Sequence, residues 1–171
     1  MSKRKLKIYG AGRMGDDPRD EQWREEITED MEKIGIFWNP YLLEPIQLKG
    51  LRPSRLPDKT PDGQEVKHWC DLRHFPKNSA EYKRFQKYMK AIIKYDLELV
   101  RKADIIIVRW SKDCKTGGGT HGEVTFGAYL DKPVYCFNES KNIPAWIEGC
   151  CTKIFDNMKD LVNFLLKEYE V

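Results

Sequence analysis

The chain has 171 residues and a mass of 20.2 kDa, the size of one ordinary domain that can bury a complete core without metal or disulfide staples. Thirty basic residues against 27 acidic ones give a formal charge of +3, so no extended nucleic-acid surface is expected. Cys70, Cys114, Cys136, Cys150 and Cys151 form no C-x-x-C pair, no apolar signal region opens the chain, and no run approaches the roughly 18 apolar residues of a membrane span. The expectation is a single-domain cytoplasmic chain with reduced thiols.

Leu6–Tyr9 reads as a short strand running into Gly10-Ala11-Gly12-Arg13-Met14-Gly15, a formal G-x-G-x-x-G. A dinucleotide fingerprint would open its helix inside that motif. Here Asp16-Asp17-Pro18 intervenes, and helical spacing begins at Trp23, Ile27, Met31 and Ile34, with Asp20 as the expected cap and Gly35 as the stop. A second strand comes next at Ile36–Trp38. Between Glu44 and Asn78, Pro45, Pro53, Pro57, Pro61 and Pro76 break any periodicity, and the segment reads as a lid, an oligomer contact or a floppy insertion. His68, Cys70 and His74 fall in it without a standard zinc spacing, so no metal is expected.

Asn78 and Glu81 mark the start of the longest helix, which carries Tyr82, Phe85, Met89, Ile92, Ile93 and Val100 on its apolar spacing up to Ala103. Asp96 lies among those inward positions; it is either a solvated acid pairing with Lys94 or Arg101, or a carboxyl with a task. Asp104-Ile105-Ile106-Ile107-Val108 is an unbroken apolar run, which predicts a strand buried on both faces at the centre of the sheet.

The polar loop after this strand ends in Gly117-Gly118-Gly119-Thr120-His121-Gly122-Glu123, a tight turn into a helix. Two roles fit Glu123. With Thr120 as N-cap it completes a capping box; as a carboxylate at the strand ends of an α/β sheet it stands at the expected ligand crevice. Val134–Phe137 reads as the next strand, Pro144–Ile147 as a short helical turn, Thr152–Phe155 as the last strand, and Asp156 as the cap of a final helix. The alternation predicts a single-domain α/β fold: a doubly wound, parallel five-stranded sheet, flavodoxin/Rossmann-like, with a long insertion after the second strand.

The order Ile8-Tyr9-x-Ala11-Gly12, Trp23-Arg24, Gly35, Pro40, Asp96, Ala103–Ile107, Gly119-Thr120-x-x-Glu123, Gly127-Ala128 and Lys132-Pro133-Val134 resembles the nucleoside 2-deoxyribosyltransferase family and its nucleotide N-glycosidase relatives. The resemblance covers most of the chain outside 44–78 and the tail. It implies cleavage of an N-glycosidic bond with no cofactor, with Glu123 as nucleophile, Asp96 as proton donor or orienting acid, and Tyr9 lining the pocket. A carboxylate beside a helix N-terminus is expected to stay ionised. A homo-oligomer and a nucleoside or nucleotide substrate are likewise implied.

The chain departs from that pattern at two places. Gly117 stands where the family has an acid two residues before the G-T pair, and Asp113 on the same loop is the candidate to replace it. Arg13 stands where the family has proline; with Gly10, Gly12 and Gly15 it suggests a phosphate cradle, and Gly117, Gly119 and Thr120 complete the expected substrate contacts. Two alternatives remain open: a phosphoribohydrolase of the cytokinin-activating kind, whose glycine-rich motif is similar to Gly117-x-Gly119-Thr120-x-x-Glu123, and a nucleotide-binding sensor without turnover. A nicotinamide-dependent oxidoreductase has only residues 10–15 in its favour.

Overall fold

A computed structural model describes residues 5–15, 17–43, 55–112, 114 and 117–169. The chain divides into two compact units: Met1–Leu43 with Asp96–Val171, and Glu44–Tyr95.

The first unit is built on five parallel strands in the order β2-β1-β3-β4-β5, with β1 Leu6–Gly12, β2 Gly35–Trp38, β3 Ile105–Trp110, β4 Val134–Asn138 and β5 Lys153–Phe155. The expected doubly wound α/β sheet is therefore present. The run that reads as the central strand is β3, and all six of its residues are buried. Its alternate side chains serve two layers. Ile105 and Ile107 join Ile8, Tyr135 and Phe137 beneath α1 (Arg19–Ile34) and α5 (Met158–Glu168), through Trp23, Ile27, Met31, Leu161 and Leu165. Each fully buried side chain of this kind contributes roughly 1.5–3 kcal/mol. Ile106 faces the other way, where a side chain on Gly127 of α3 (Gly118–Tyr129) would collide with it and approach Val100 in the last turns of α2 (Ala80–Lys102). Helices thus cover both faces, and α4 (Ala145–Cys150) lies beside α3.

Several helix ends differ from the sequence reading. Helix α1 starts one residue before Asp20, behind Pro18, and Asp20 is buried. The backbone N–H of Tyr82 donates to Ser79 Oγ at 3.1 Å, so Ser79 rather than Asn78 caps α2. At α5 the capping oxygen belongs to Asn157, which accepts from the backbone of Asp160 at 2.9 Å, rather than to Asp156. At α2 and α5 the cap lies one residue from the expected one, and at α1 the N-cap is Pro18, two residues before Asp20, shifts that composition does not resolve.

The second unit contains the proline-rich segment 44–78, of which residues 44–54 lie outside the described ones. The rest is not structureless, because Trp69–His74 forms a 3-10 turn. His68 accepts from the backbone of Cys70, while Asp71 accepts from that of His68 at 2.9 Å, so both residues act as caps. Trp69 packs edge-on to Tyr88 at 4.2 Å between ring centres, with Leu56, Phe85, Met89 and Ile92 around them. No helix among the described residues is long and apolar enough to cross a membrane.

Candidate active site

In a 2-1-3-4-5 sheet the chain reverses its direction of winding between β1 and β3, and the carboxyl ends of those strands open the crevice where ligands bind. Tyr9 lies in β1 opposite Ile106 of β3, is fully buried, and presents its ring to the α3 face. Its hydroxyl donates to Glu123 Oε1 at 2.7 Å. This bond decides between the two roles of Glu123. The N-cap of α3 is Gly117, with no side-chain cap; Thr120 is buried as the third helical residue, and Glu123 stands in the second turn. The capping box is absent, and the carboxyl is held by a tyrosine instead.

Its ionisation also departs from expectation. Being past the first turn, Glu123 gains little from the helix dipole. Burial pushes its carboxyl up to about 8, an effect that the Tyr9 hydrogen bond opposes, the charge of Asp96 reinforces and Arg24 opposes. Asp96 is half-buried in the last turns of α2 and is raised to about 6, again by burial against the pull of Arg24. The Tyr9 hydroxyl is driven up by its own burial and then by the charges of Glu123 and Asp96. Arg101, the expected partner of a solvated Asp96, pairs with Glu98 at 2.6 Å instead. Tyr9, Asp96 and Glu123 therefore form one interacting group.

Arg24 belongs to this group, and sequence reasoning does not single it out as a site residue. It is fully buried, and donates from Nε to Gly10 O at 3.0 Å, from Nη1 to Asp20 O at 2.6 Å and from Nη2 to Gly12 O at 3.1 Å. A signal is present. Positions 20 and 24 lie on the same helical stripe as Trp23, Ile27, Met31 and Ile34, so a polar residue there is a buried one.

The glycines of the first loop do other work than expected. Gly10 and Gly12 are strand residues paired with Ile107 and Arg109. A side chain on Gly10 would meet the Phe37 ring at 2.8 Å, and one on Gly12 would meet Trp23 at 3.3 Å and Arg24 at 3.4 Å. They make room for aromatic packing, and the loop proper begins at Arg13. Arg13 Nε stands 3.7 Å from Asp20 Oδ2. Asp20 in turn bonds Arg109 Nη1 through Oδ1 at 2.8 Å, and Arg109 Nε and Nη2 each reach Glu139 at 2.8 Å. Asp113 lies outside the described residues. The Gly117 carbonyl stands 2.9 Å from His121 Nδ1 and accepts its hydrogen bond, and a side chain on Gly119 would stand in open space.

Four buried side-chain atoms of the described residues have no hydrogen-bond partner: Asp20 Oδ2, Trp23 Nε1, Tyr41 Oη and Trp110 Nε1. Asp20 and Trp23 stand in the opening turns of α1 beyond β1, Tyr41 lies just past β2, and Trp110 ends β3, so all four sit towards the carboxyl edge. Unsatisfied buried polar atoms are costly, although Asp20 Oδ2 lies within ionic reach of Arg13, 3.7 Å from its Nε. A separate apolar recess, lined by His121, Gly122, Thr125, Phe126, Tyr129 and Trp146, holds none of these groups. Among the described residues no cluster of His, Cys, Asp and Glu could hold a metal ion.

No family model matches the sequence, and no curated protein matches it. Solved structures do share the fold. A 2-deoxyribosyltransferase from the psychrotolerant bacterium Bacillus psychrosaccharolyticus is 18% identical with a TM-score of 0.58, over 92% of this chain and 90% of that one. DNA processing protein A from Helicobacter pylori, described for its single-stranded DNA binding, is 11% identical with a TM-score of 0.53, over 98% and 83%. The CMP N-glycosidase BcmB of Clostridium botulinum is 12% identical with a TM-score of 0.49, over 93% and 97%. At 18% and 11% identity the first two likenesses define a class by architecture alone, the open parallel α/β sheet, and the chemistry has to come from the residues.

Proposed function

We propose that this chain cleaves the N-glycosidic bond of a nucleoside or nucleoside 5′-monophosphate, passing the ribosyl or deoxyribosyl group to water or to a second base. The observation that carries this reading is the buried 2.7 Å hydrogen bond from Tyr9 to Glu123, with Asp96 in electrostatic contact with both. The shared architecture of a 2-deoxyribosyltransferase supports it.

The proton count suits the reaction. Glu123 attacks the anomeric carbon and forms a C–O bond while the C–N bond breaks and its electron pair leaves with the base, which needs a proton. The substrate-free pair holds about one proton between Asp96 near 6 and Glu123 near 8. When Glu123 attacks as the anion, that proton resides on Asp96 and passes to the base. Water or an incoming base then breaks the ester bond, returning the proton to the pair. Tyr9 holds the attacking carboxylate in place throughout.

Arg13 at the rim is the candidate contact of a 5′-phosphate, and Gly117, Gly119, Thr120 and Asp113 are the candidate contacts of the sugar or base. Segment 44–78 is proposed to cover the substrate or to contribute to a homo-oligomer; its exchange for a short linker should raise KM or change the number of subunits in the assembly, and unchanged kinetics and oligomeric state would refute the idea. The test of the main reading is incubation with a panel of nucleosides and 5′-nucleotides, with and without a second base, followed by chromatography. Free base is expected, with a new nucleoside as well if the acceptor is a base. No release from any of them would contradict the reading.

A further inference from the structure

We propose that Arg24 is the buried counter-charge of the Tyr9–Glu123–Asp96 group and sets how many protons the two carboxyls hold, a positioning role that rests, for its catalytic meaning only, on the glycosidase reading. The guanidinium is fully buried, and its three hydrogen bonds all end on backbone carbonyls, those of Gly10, Gly12 and Asp20. The rings of Trp23 and Tyr41 lie 4.6 and 5.2 Å from its central carbon. Among the described residues no carboxylate forms an ion pair with it. A guanidinium does not discharge, and a buried cation without a neighbouring anion is strongly unfavourable. The arrangement therefore asks for one negative charge nearby.

The titratable groups whose charges act on Arg24 or feel its own come from five elements: Glu123 of α3, Tyr41 after β2 with its ring 5.2 Å away, Tyr9 of β1 with its hydroxyl on Glu123, Asp20 of α1 with its carbonyl on the guanidinium, and Asp96 of α2. Asp20 is committed to Arg109. Both tyrosines are raised by burial and stay neutral. The anion must then come from Glu123 and Asp96, and one buried cation supports one charge between them. One charge and one proton is the state that base departure requires. The carbonyl bonds at Gly10 and Gly12, on either side of Ala11, also hold the guanidinium at the end of the strand that carries Tyr9. A plain strut joining α1 to β1 would need those bonds but would leave the carboxyls indifferent to the charge.

The experiment is a carboxyl 13C NMR titration of the substrate-free full chain, with the two signals assigned through Glu123→Gln and Asp96→Asn. In the wild type one of the two carboxyls should be ionised near neutral pH. Arg24→Met, which keeps much of the volume but no charge, should raise the titration midpoints by about one pH unit or more. Arg24→Lys, which keeps the charge, should shift them by less. A folded Arg24→Met protein that titrates like the wild type would overturn the proposal, as would equal shifts in the Met and Lys variants. Two protonated carboxyls in the wild type above about pH 7.5 would overturn it without any variant. Where base is released, the acid limb of kcat/KM should move with the midpoints. If no base is ever released, the glycosidase reading fails while the titration still judges Arg24.

Discussion

Two groups of charged residues meet at the carboxyl edge of the sheet, one reaching from buried Asp20 and Arg109 out to exposed Glu139, and they are built on opposite terms. In the first, Asp20, Arg109 and Glu139 are joined by charge-to-charge contacts of 2.8 Å, and Arg19 adds a fourth member 3.6 Å from Glu139. In the second, the hydrogen bonds of Arg24 among the described residues all end on carbonyls, Glu123 accepts one from a neutral hydroxyl, and Asp96 acts on both through its charge. Direct pairing offsets desolvation and leaves charges fixed. Withholding it drives carboxyl ionisation into the neutral range, where protons move during a reaction. The first group is a clamp between α1, β3 and the end of β4; the second is poised for chemistry.

Glu123→Gln should separate them most widely. It should reduce base release by a factor on the order of 10³ or more while the fold stays intact. Its effect on stability should run the other way. The carboxyl holds its proton to about 8 when folded against an ordinary 4.5, so its contribution is full below about 4.5 and is lost as pH rises through 8. Thermal unfolding should therefore show the Gln variant gaining on the wild type from about pH 4.5 to about 8.5. Asp20→Ala should do the reverse, costing roughly 1.5–3 kcal/mol in denaturant unfolding because Arg109 loses its buried partner and keeps only Glu139, and leaving the limbs of the pH profile in place.

Smaller effects sharpen the contrast. Tyr9→Phe removes one hydrogen bond to a charged group, worth about 1.5–3 kcal/mol, so turnover should fall roughly 10- to 100-fold and the Glu123 carboxyl should rise further. The kcat/KM profile should be a bell with its top between about 6 and about 8, the range in which the pair holds one proton. A profile flat across that range would mean that the carboxyls do not exchange protons in the reaction.

The two groups are not equally legible in the sequence. The run 104–108 and the helical stripe from Trp23 to Ile34 locate the central strand and α1, because burial on two faces or one face leaves a periodic trace. Tyr9, Asp96 and Glu123 stand out by their order along the chain. What the sequence conceals depends on residue-scale register: α3 begins at Gly118, so Thr120 falls inside it and the capping pair dissolves. Asp20 resembles a cap because caps and buried ion pairs use the same residue. Arg24 is hidden by its neighbour Trp23, although its place on the apolar stripe betrays it. Gly10 and Gly12 resemble a phosphate loop because close aromatic packing also demands glycine.

The most direct measurement is mass spectrometry of the chain after incubation with a slow 2-fluoro-substituted nucleoside analogue, run beside base-release assays of the wild type and Glu123→Gln. The expected result is a glycosyl adduct on the peptide that contains Glu123, absent from the Gln variant, which releases base at no more than about a thousandth of the wild-type rate. Near-normal base release by a well-folded Glu123→Gln protein, with no adduct on Glu123 in the wild type, would contradict the role given to this carboxyl.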